Sequence, residues 1–251
     1  MAVAIGTGYL GVAATKNYWP FGDSSSGDSI RDLAGQLEEA NSSEQRLAVL
    51  QAIGAKARIG HTDREAAVNV LTSFLRNQDG VEKRPRDAAT RGHKAPAEVS
   101  LAFTLLGKSG NTYLEADLRD ADLSGIDVKD LDFSRGVTLY GANLTGAVIV
   151  HSNFGSCNAG TANLTRAWFG GCFLSGLNLI DAKLSDATFP GTRLSGCQFA
   201  GAEISGVDFT KAQLDECDFA GDRLISSGRR NARWNSGSPP KWPAGFRPNL
   251  N

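Results

Sequence analysis

Histidine, the commonest residue of catalytic centres, is scarce in this 251-residue chain, which has three histidines and a formal net charge of −1. His61 falls on a predicted turn, His93 in a polar loop and His151 on a position predicted to face outward. No nucleophile or pair of carboxylates stands at a spacing that would recruit them for acid–base or covalent catalysis. We therefore expect a protein that is not an enzyme and that has no catalytic residues and no cofactor.

Cysteine is also sparse, and its spacing does not suit a metal site. The four residues Cys157, Cys172, Cys197 and Cys217 are 15, 25 and 20 positions apart, whereas structural zinc sites use closely spaced pairs. Parallel side chains in neighbouring turns of a repeat would also hold the Cβ atoms too far apart for good disulfide geometry. We predict neither a zinc site nor disulfides, and we interpret the cysteines as small core residues.

Long apolar runs are missing as well. The most apolar stretch, residues 2–15, carries no charge, but as a helix it would span only about 21 Å, short of a hydrocarbon core of about 30 Å. No basic residue precedes it, as a secretory signal would require. Two alternatives stay open: a terminus that is ragged or packed on the body, and membrane contact by residues 1–21. Free thiols and the lack of a clear signal favour the cytoplasm.

What the chain does contain is a period of five residues. From Leu118 to Leu224 a large apolar residue, mostly Leu or Phe, stands at every fifth position, with one slip near Gly136. In most units a small residue lies two places before it. A helix repeats at about 3.6 residues and a strand at 2, so this period fits neither element. A short period kept over a hundred residues indicates a solenoid whose units stack on their neighbours.

The units ADLRD, ADLSG, ANLTG and ANLTR resemble those of pentapeptide-repeat proteins, and the resemblance covers residues 111–226. It implies a mainly β fold, a right-handed quadrilateral β-helix with about 20 residues in each coil. Like residues should then stack in columns, and one such column is Val128, Ile149, Phe169, Phe189 and Phe209. The slip would be a one-residue bulge that Gly136 can accommodate.

The rest of the chain divides into three further segments. Residues 1–29 are the apolar N-terminus and a linker, residues 30–110 show helical periodicity, and residues 227–251 form a tail rich in Pro, Trp and Arg. Capping-box spacing at Ser42 and at Thr62 predicts two helix starts, and Pro96 opens the last helix. The helices should cover the open end of the β-helix. Helices that precede the repeats are similar to those of a bacterial group. The KWPAGFRP run of the tail is similar to the ending of many pentapeptide-repeat chains, and this resemblance implies that the tail folds back over the last coil.

The expected function is that of a scaffold or adaptor that binds another protein. Three apolar residues occupy outward positions where the family prefers Asp or Asn, and an arginine lies nearby; exposed aromatic residues and arginines are enriched at protein interfaces. The predicted partner surface is Val148, Arg166, Trp168 and Phe173. The competing interpretation is that the N-terminal helices or the tail cover these side chains.

Charge suggests a second interpretation, a DNA mimic that modulates DNA gyrase, as implied by family members that confer fluoroquinolone resistance. Residues 111–226 carry 8 basic and 15 acidic side chains, but no acid lies between Asp132 and Asp181. A mimic of phosphate spacing needs continuous negative charge, so we regard gyrase as the less favoured partner, and we expect no direct nucleic-acid binding. The early cluster of aspartates suggests calcium, but most occupy ordinary outward positions of the repeat.

Overall fold

The computed structural model describes residues 29–58, 61–78, 81, 94–109, 116–220, 237 and 239–241. The apolar N-terminal stretch, most of the linker before the helices and most of the tail lie outside the described residues. The described part consists of four helices followed by a β-helix.

The predicted helical region forms four helices, which are α1 (Ile30–Glu39), α2 (Ser43–Lys56), α3 (Arg64–Asn77) and α4 (Ala97–Lys108). The Ser42 hydroxyl caps α2 by accepting from the backbone N–H of Gln45 at 3.2 Å, as the spacing predicted. The start predicted at Thr62 was wrong by one residue, because Asp63 is the N-cap of α3. None of these described helices is long and apolar enough to cross a membrane.

The helices pack around their own apolar core. Leu50, Ile53, Leu71 and Leu75 are fully buried between α2 and α3 and their neighbours. A buried ion pair joins α2 to α4, with the Arg46 Nε atom 3.3 Å from Glu98 Oε1. The helices therefore form a compact unit rather than a series of separate segments.

The repeat forms a β-helix of very short parallel strands, which are β1 (Ala116–Asp117), β2 (Asp127–Lys129), β3 (Val137–Thr138), β4 (Val148–Val150) and β5 (Trp168–Gly170). β1 pairs with β3, β2 pairs with β4, and β4 pairs with β5. Single parallel bridges continue the pairing from coil to coil as far as Asp218. After the slip, bridge partners in neighbouring coils are 20 residues, or four five-residue units, apart, and hydrogen bonds join each coil to its neighbours.

The slip in the repeat is a change of register at Gly136. Before it, Ala116 pairs with Val137 and Asp132 with Asn153, a step of 21 residues. After it, Thr138 pairs with Asn158, a step of 20. Gly136 has φ = 105°, a conformation that residues with a Cβ rarely adopt. The predicted one-residue bulge is confirmed.

Columns of buried side chains fill the β-helix. The rings of Phe169, Phe189 and Phe209 stack almost parallel, with successive centroids 5.4 Å apart. The rings of Phe199 and Phe219 stack at 4.5 Å. Offset stacking of this kind adds to the energy of burial, and the predicted ladder of like residues is confirmed.

The four cysteines are free thiols buried in this core, as the repeat predicted. The thiols of Cys197 and Cys217 each donate to a backbone carbonyl one coil back, those of Leu174 and Leu194. Burial raises the pKa of the Cys172 thiol to about 11. Cys172 is therefore protonated at neutral pH, and all four cysteines pack as small buried side chains.

Helix α4 covers the first coil of the β-helix. The Phe103 ring lies 5.1 Å from that of Phe133, and the carbonyl of Gly107 accepts from the Asp132 N–H at 3.1 Å. A Cβ at Gly107 would come within 2.9 Å of the Leu131 Cβ, so glycine permits this close approach. The helical cap is confirmed, and it removes an edge that could otherwise pair with another chain.

At the other end, the tail contacts the last described coil through Lys241. Its N–H donates to the carbonyl of Cys217 at 2.8 Å, and its carbonyl accepts from Phe219 at 2.9 Å. Lys241 thus adds one parallel bridge to Asp218, in agreement with the expected folding back of the tail at this point.

Each corner of a coil ends on a residue with positive φ. Glycine supplies many of these, such as Gly191 at 64°, but Thr161 adopts 56°. A left-handed conformation costs a residue with a Cβ roughly 1–2 kcal/mol, and a β-branched residue is least suited to it.

We expect Thr161→Gly to raise the free energy of unfolding by about 0.5–1 kcal/mol, because relief of strain exceeds the extra entropy that glycine loses on folding. Gly191→Ala is the comparison variant in the opposite direction: no atom lies within 4 Å of its added Cβ, so its expected net loss of about 0.5–1 kcal/mol comes from backbone strain and not from a steric clash. Urea unfolding followed by circular dichroism measures both. A loss of stability in Thr161→Gly would contradict this account.

Candidate partner-binding surface

Where the outward middle residue of a unit is Asn, its side chain caps the corner that follows it. The Oδ1 atoms of Asn153, Asn163 and Asn178 each accept from the backbone N–H two residues on, at 2.9–3.1 Å. Asp and Asn are suited to this local bond because their short side chains reach the nearby backbone. The repeat therefore favours Asp or Asn at this position for a structural reason.

The early aspartates serve the same purpose. Asp117, Asp122 and Asp132 accept from the N–H groups of Arg119, Ser124 and Ser134. Within the described ranges, no three His, Cys, Asp or Glu side chains are grouped so as to hold a metal ion. These hydrogen bonds account for three of the six carboxylates in the run, and Asp120 and Asp130 occupy the left-handed corner positions instead.

Five outward positions carry no oxygen that could cap a corner, and three of them are apolar. The apolar ones are Val148, Trp168 and Phe173, and the other two are Lys183 and Arg193. Trp168 is 37% exposed and Phe173 is 49% exposed. Apolar side chains thus stand where other units have corner caps. This replacement favours a role in binding over a role in stabilising the fold.

Val148 and Trp168 are bridge partners in adjacent coils. They belong to one column, which reads Asp127, Val148, Trp168, Thr188 and Asp208. The Trp168 indole lies over Gly170, where an added Cβ would overlap three of its ring carbons. Gly170 therefore lets the indole lie along the surface of the next corner.

Phe173 lies beyond that corner, in the column Asp132, Asn153, Phe173, Arg193 and Gln213. The Arg193 guanidinium carbon is 5.5 Å from the centroid of the Phe173 ring, a cation–π contact. The sequence prediction missed Arg193, although the 20-residue register places it one coil after Phe173.

The structure separates Arg166 from this contact. Arg166 is the left-handed corner residue before Trp168, with φ = 59°, and its N–H donates to Ser185 in the next coil. It stands at the edge of the Trp168 column that lies away from Phe173, and Asp186 follows it one coil later in the same corner. Arg193 therefore contacts the exposed Phe173 ring.

The helices do not cover the predicted surface. Within the described ranges, α3 contacts β1 and α4 contacts β2, while β4 and β5 contact other strands. The tail, which was the other expected cover, is described only at residues 237 and 239–241. The exposure of Trp168 and Phe173 agrees with an open surface, and binding of a partner there stays a prediction.

We name this surface the aromatic corner. It consists of the side chains around Trp168 and Phe173 in the two columns and in the corner between those columns. Its residues are Val148, Val150, His151, Trp168, Phe173, Pro190 and Arg193.

The family comparison agrees with the five-residue geometry. A family model described as pentapeptide repeats matches residues 115–158, 162–196 and 182–221, in eight copies. These residues belong to the pentapeptide-repeat family. No curated protein matches the chain.

Three solved structures illustrate what this chain is similar to, and two of them are described as pentapeptide-repeat proteins. One is from the thylakoid lumen of Arabidopsis thaliana, with 31% identity, a TM-score of 0.37 and coverage of 38% of this chain and 66% of that one. QnrB1, a plasmid-mediated fluoroquinolone resistance protein in a trypsin-treated form, has 16% identity, a TM-score of 0.34 and coverage of 48% and 78%. HetL, involved in heterocyst differentiation regulation in Nostoc sp. strain PCC 7120, has 23% identity, a TM-score of 0.26 and coverage of 47% and 70%.

The pentapeptide-repeat domain exposes a second apolar feature that the sequence prediction missed. Tyr140 is 46% exposed and Ile180 is 36% exposed, and they occupy one corner two coils apart. The Tyr140 ring lies about 3.3 Å from where a Cβ of Gly160 would stand, so glycine again makes room for an aromatic ring. Asn, Thr and Gln side chains flank most of this corner.

An ion pair of Asp117 links the first coil of the β-helix to the helical cap. Asp117 accepts from Arg119 at 2.7 Å and lies 3.4 Å from Arg76 on α3. The hydrogen bond from the Arg119 side chain lowers the pKa of Asp117 to about 2. This carboxylate is therefore charged at neutral pH and belongs to the junction between cap and β-helix, away from the aromatic corner.

Proposed function

We propose that this protein is a non-enzymatic scaffold or adaptor that binds another protein through the aromatic corner. The observation that supports the proposal is the replacement of corner-capping residues by apolar ones, which are exposed at Trp168 and Phe173 and partly exposed at Val148. These residues contribute no cap to the fold. Protein interfaces are enriched in Trp, Phe and Arg, and such residues supply much of the binding energy.

The proposal includes a finer geometry for the scaffold, a right-handed coil with four sides. Four units per coil and one left-handed residue at each corner support it. A rod with flat sides would present the Trp168 and Phe173 columns on two adjacent faces. A crystal structure of the chain tests the handedness and the number of sides directly.

The test replaces both rings with the residue that the repeat uses elsewhere. Trp168→Asn combined with Phe173→Asn should lower the affinity for the native partner at least tenfold. The melting temperature should fall by less than about 2 °C, because asparagine restores the corner cap. Affinity capture from native lysate, quantified by mass spectrometry, and differential scanning calorimetry measure the two effects.

The matched control is Gln198→Asn, which introduces the same residue at an exposed outward position of another column. It should capture the same partner as the unchanged chain. If the double variant captures that partner equally well, the aromatic corner is not the binding surface.

The alternative function is modulation of DNA gyrase by mimicry of duplex DNA. Carboxylates near both ends of the domain favour it, whereas the middle coils lack them. Adding the purified chain to a gyrase supercoiling assay separates the two functions. Inhibition at micromolar concentration that survives the double substitution would favour gyrase over the aromatic corner.

A third possibility is a scaffold held at the membrane through residues 1–21, in a bacterial cell and otherwise cytoplasmic. The uncharged stretch at residues 2–15 supports membrane contact. Fractionation of cells that express the chain with and without residues 1–21 tests it, since loss of the membrane-bound fraction on truncation would favour this arrangement.

A further inference from the structure

We propose that the aromatic corner binds a short acidic segment of its partner, whose apolar side chain covers Trp168 and Phe173 and whose carboxylates pair with Arg193. This inference rests on the proposed function and specifies the chemistry of the partner. Three features of the surface lead to this proposal: its apolar area, the position of the Arg193 side chain and the distribution of charge around it.

The apolar area comes from side chains that do not cap a corner of the β-helix. Trp168 lies along Gly170 and presents its outer side to solvent, and Phe173 is about half exposed beyond the same corner. Val148 lies one coil before Trp168. Covering these groups with one aromatic or leucine side chain removes apolar surface from water on both partners.

Arg193 is placed to receive a carboxylate. Its guanidinium lies over one side of the Phe173 ring, and the residue is exposed. A guanidinium that stacks by its face keeps its N–H groups at the edge, where they match the two oxygens of a carboxylate. The ring contact also restrains the side chain, which reduces the entropy lost on binding.

The charged side chains of the aromatic corner favour an acidic ligand. In the described part of the chain, the two columns and their shared corner contain no Asp or Glu within one coil of Trp168 or Phe173. The exposed ionisable side chains there are His151 and Arg193, while the corner on the other side of the Trp168 column carries Arg166 and, one coil later, Asp186. Asp127, Asp132 and Asp208 lie two coils away, at roughly 10 Å for a spacing of about 4.8 Å per coil. That distance is about one Debye length at moderate salt.

The same aspartates limit the length of the ligand. An acidic run that follows the columns beyond about 10–15 Å reaches Asp127 or Asp132 at one end and Asp208 at the other, where like charges repel. At about 3.3 Å per extended residue, the favourable stretch is about three to five residues. A long polyanion such as duplex DNA is disfavoured for this reason, whereas a short acidic peptide fits.

The experiment selects peptides without assuming a partner. A phage-displayed library of random 12-residue peptides is panned against the full chain, and the enriched peptides are measured by fluorescence polarisation. We expect them to carry at least two Asp or Glu close to a Trp, Phe or Leu. Their affinity should fall at least tenfold for the Trp168→Asn, Phe173→Asn double variant and severalfold for Arg193→Gln, while Gln198→Asn leaves it unchanged.

Enrichment of neutral or basic peptides, affinity that survives the double variant, or no enrichment over an empty support would each overturn the inference. So would equal binding of a 20-base-pair DNA duplex at the same surface. Neutral peptides that still require Trp168 and Phe173 would leave the proposed function standing with a different partner chemistry. Undiminished capture of the native partner by the double variant would overturn the proposed function itself.

Discussion

Phe189→Ala is expected to lower the free energy of unfolding by about 3–5 kcal/mol, the range for removing a buried aromatic side chain. Phe189 is fully buried, and its ring stacks on two others, Phe169 below and Phe209 above, each at 5.4 Å. The substitution therefore removes two ring contacts and leaves a cavity in the middle of the rod. Its neighbours are held by their own coils, so collapse around the cavity is restricted.

Phe189→Leu is the control, because leucine occupies the same central position in many other units. It keeps most of the volume and should cost less than about 1.5 kcal/mol. Urea unfolding followed by far-ultraviolet circular dichroism gives both values. A cost below 1 kcal/mol for Phe189→Ala would show that the phenylalanine column is not a principal source of stability.

Arg46→Met is expected to destabilise the helical cap by about 3–5 kcal/mol, the cost of breaking a buried ion pair by removing one partner. The Arg46 and Glu98 side chains are 12% and 6% exposed, and their charged atoms are 3.3 Å apart. Arg46 also donates to the Ala40 carbonyl at 3.0 Å. Methionine fills a similar volume but leaves the Glu98 carboxylate buried without its cation.

Arg46→Met combined with Glu98→Leu separates charge from packing. Replacing both partners of a buried pair with apolar residues is often neutral or stabilising, so the double variant should recover most of the lost stability. Thermal unfolding followed at 222 nm measures the series. A double variant that is less stable than Arg46→Met would indicate that packing, and not the unpaired carboxylate, causes the loss.

The sequence predicts the β-helix well because each unit contacts only its neighbours in adjacent coils. The residues of the Phe189 column, the buried cysteines and the slip at Gly136 follow from the five-residue period and a 20-residue coil. Local signals were less reliable at helix starts, where several residues compete to cap. The capping box of Ser29 with Asp32 on α1 was missed, and Asp63 took the position expected for Thr62.

The candidate surface could be predicted only in part. The outward positions of Val148, Trp168 and Phe173 follow from the period, but the directions of their side chains do not. The contact between Arg193 and Phe173 depends on how a long, flexible side chain lies on a surface. The exposure of Tyr140 depends in the same way on the space that Gly160 leaves one coil away.

The sequence by itself determined the repeat unit, its register and the residues that fill the core, because a solenoid converts a local period directly into nearest-neighbour stacking. Only the tertiary structure decided which groups meet at a distance along the chain. It joined Arg46 to Glu98 across 52 residues, seated Phe103 on Phe133, and set Arg193 against an exposed ring. Those contacts depend on how separate elements pack and on the volume left between them, which a five-residue pattern does not specify.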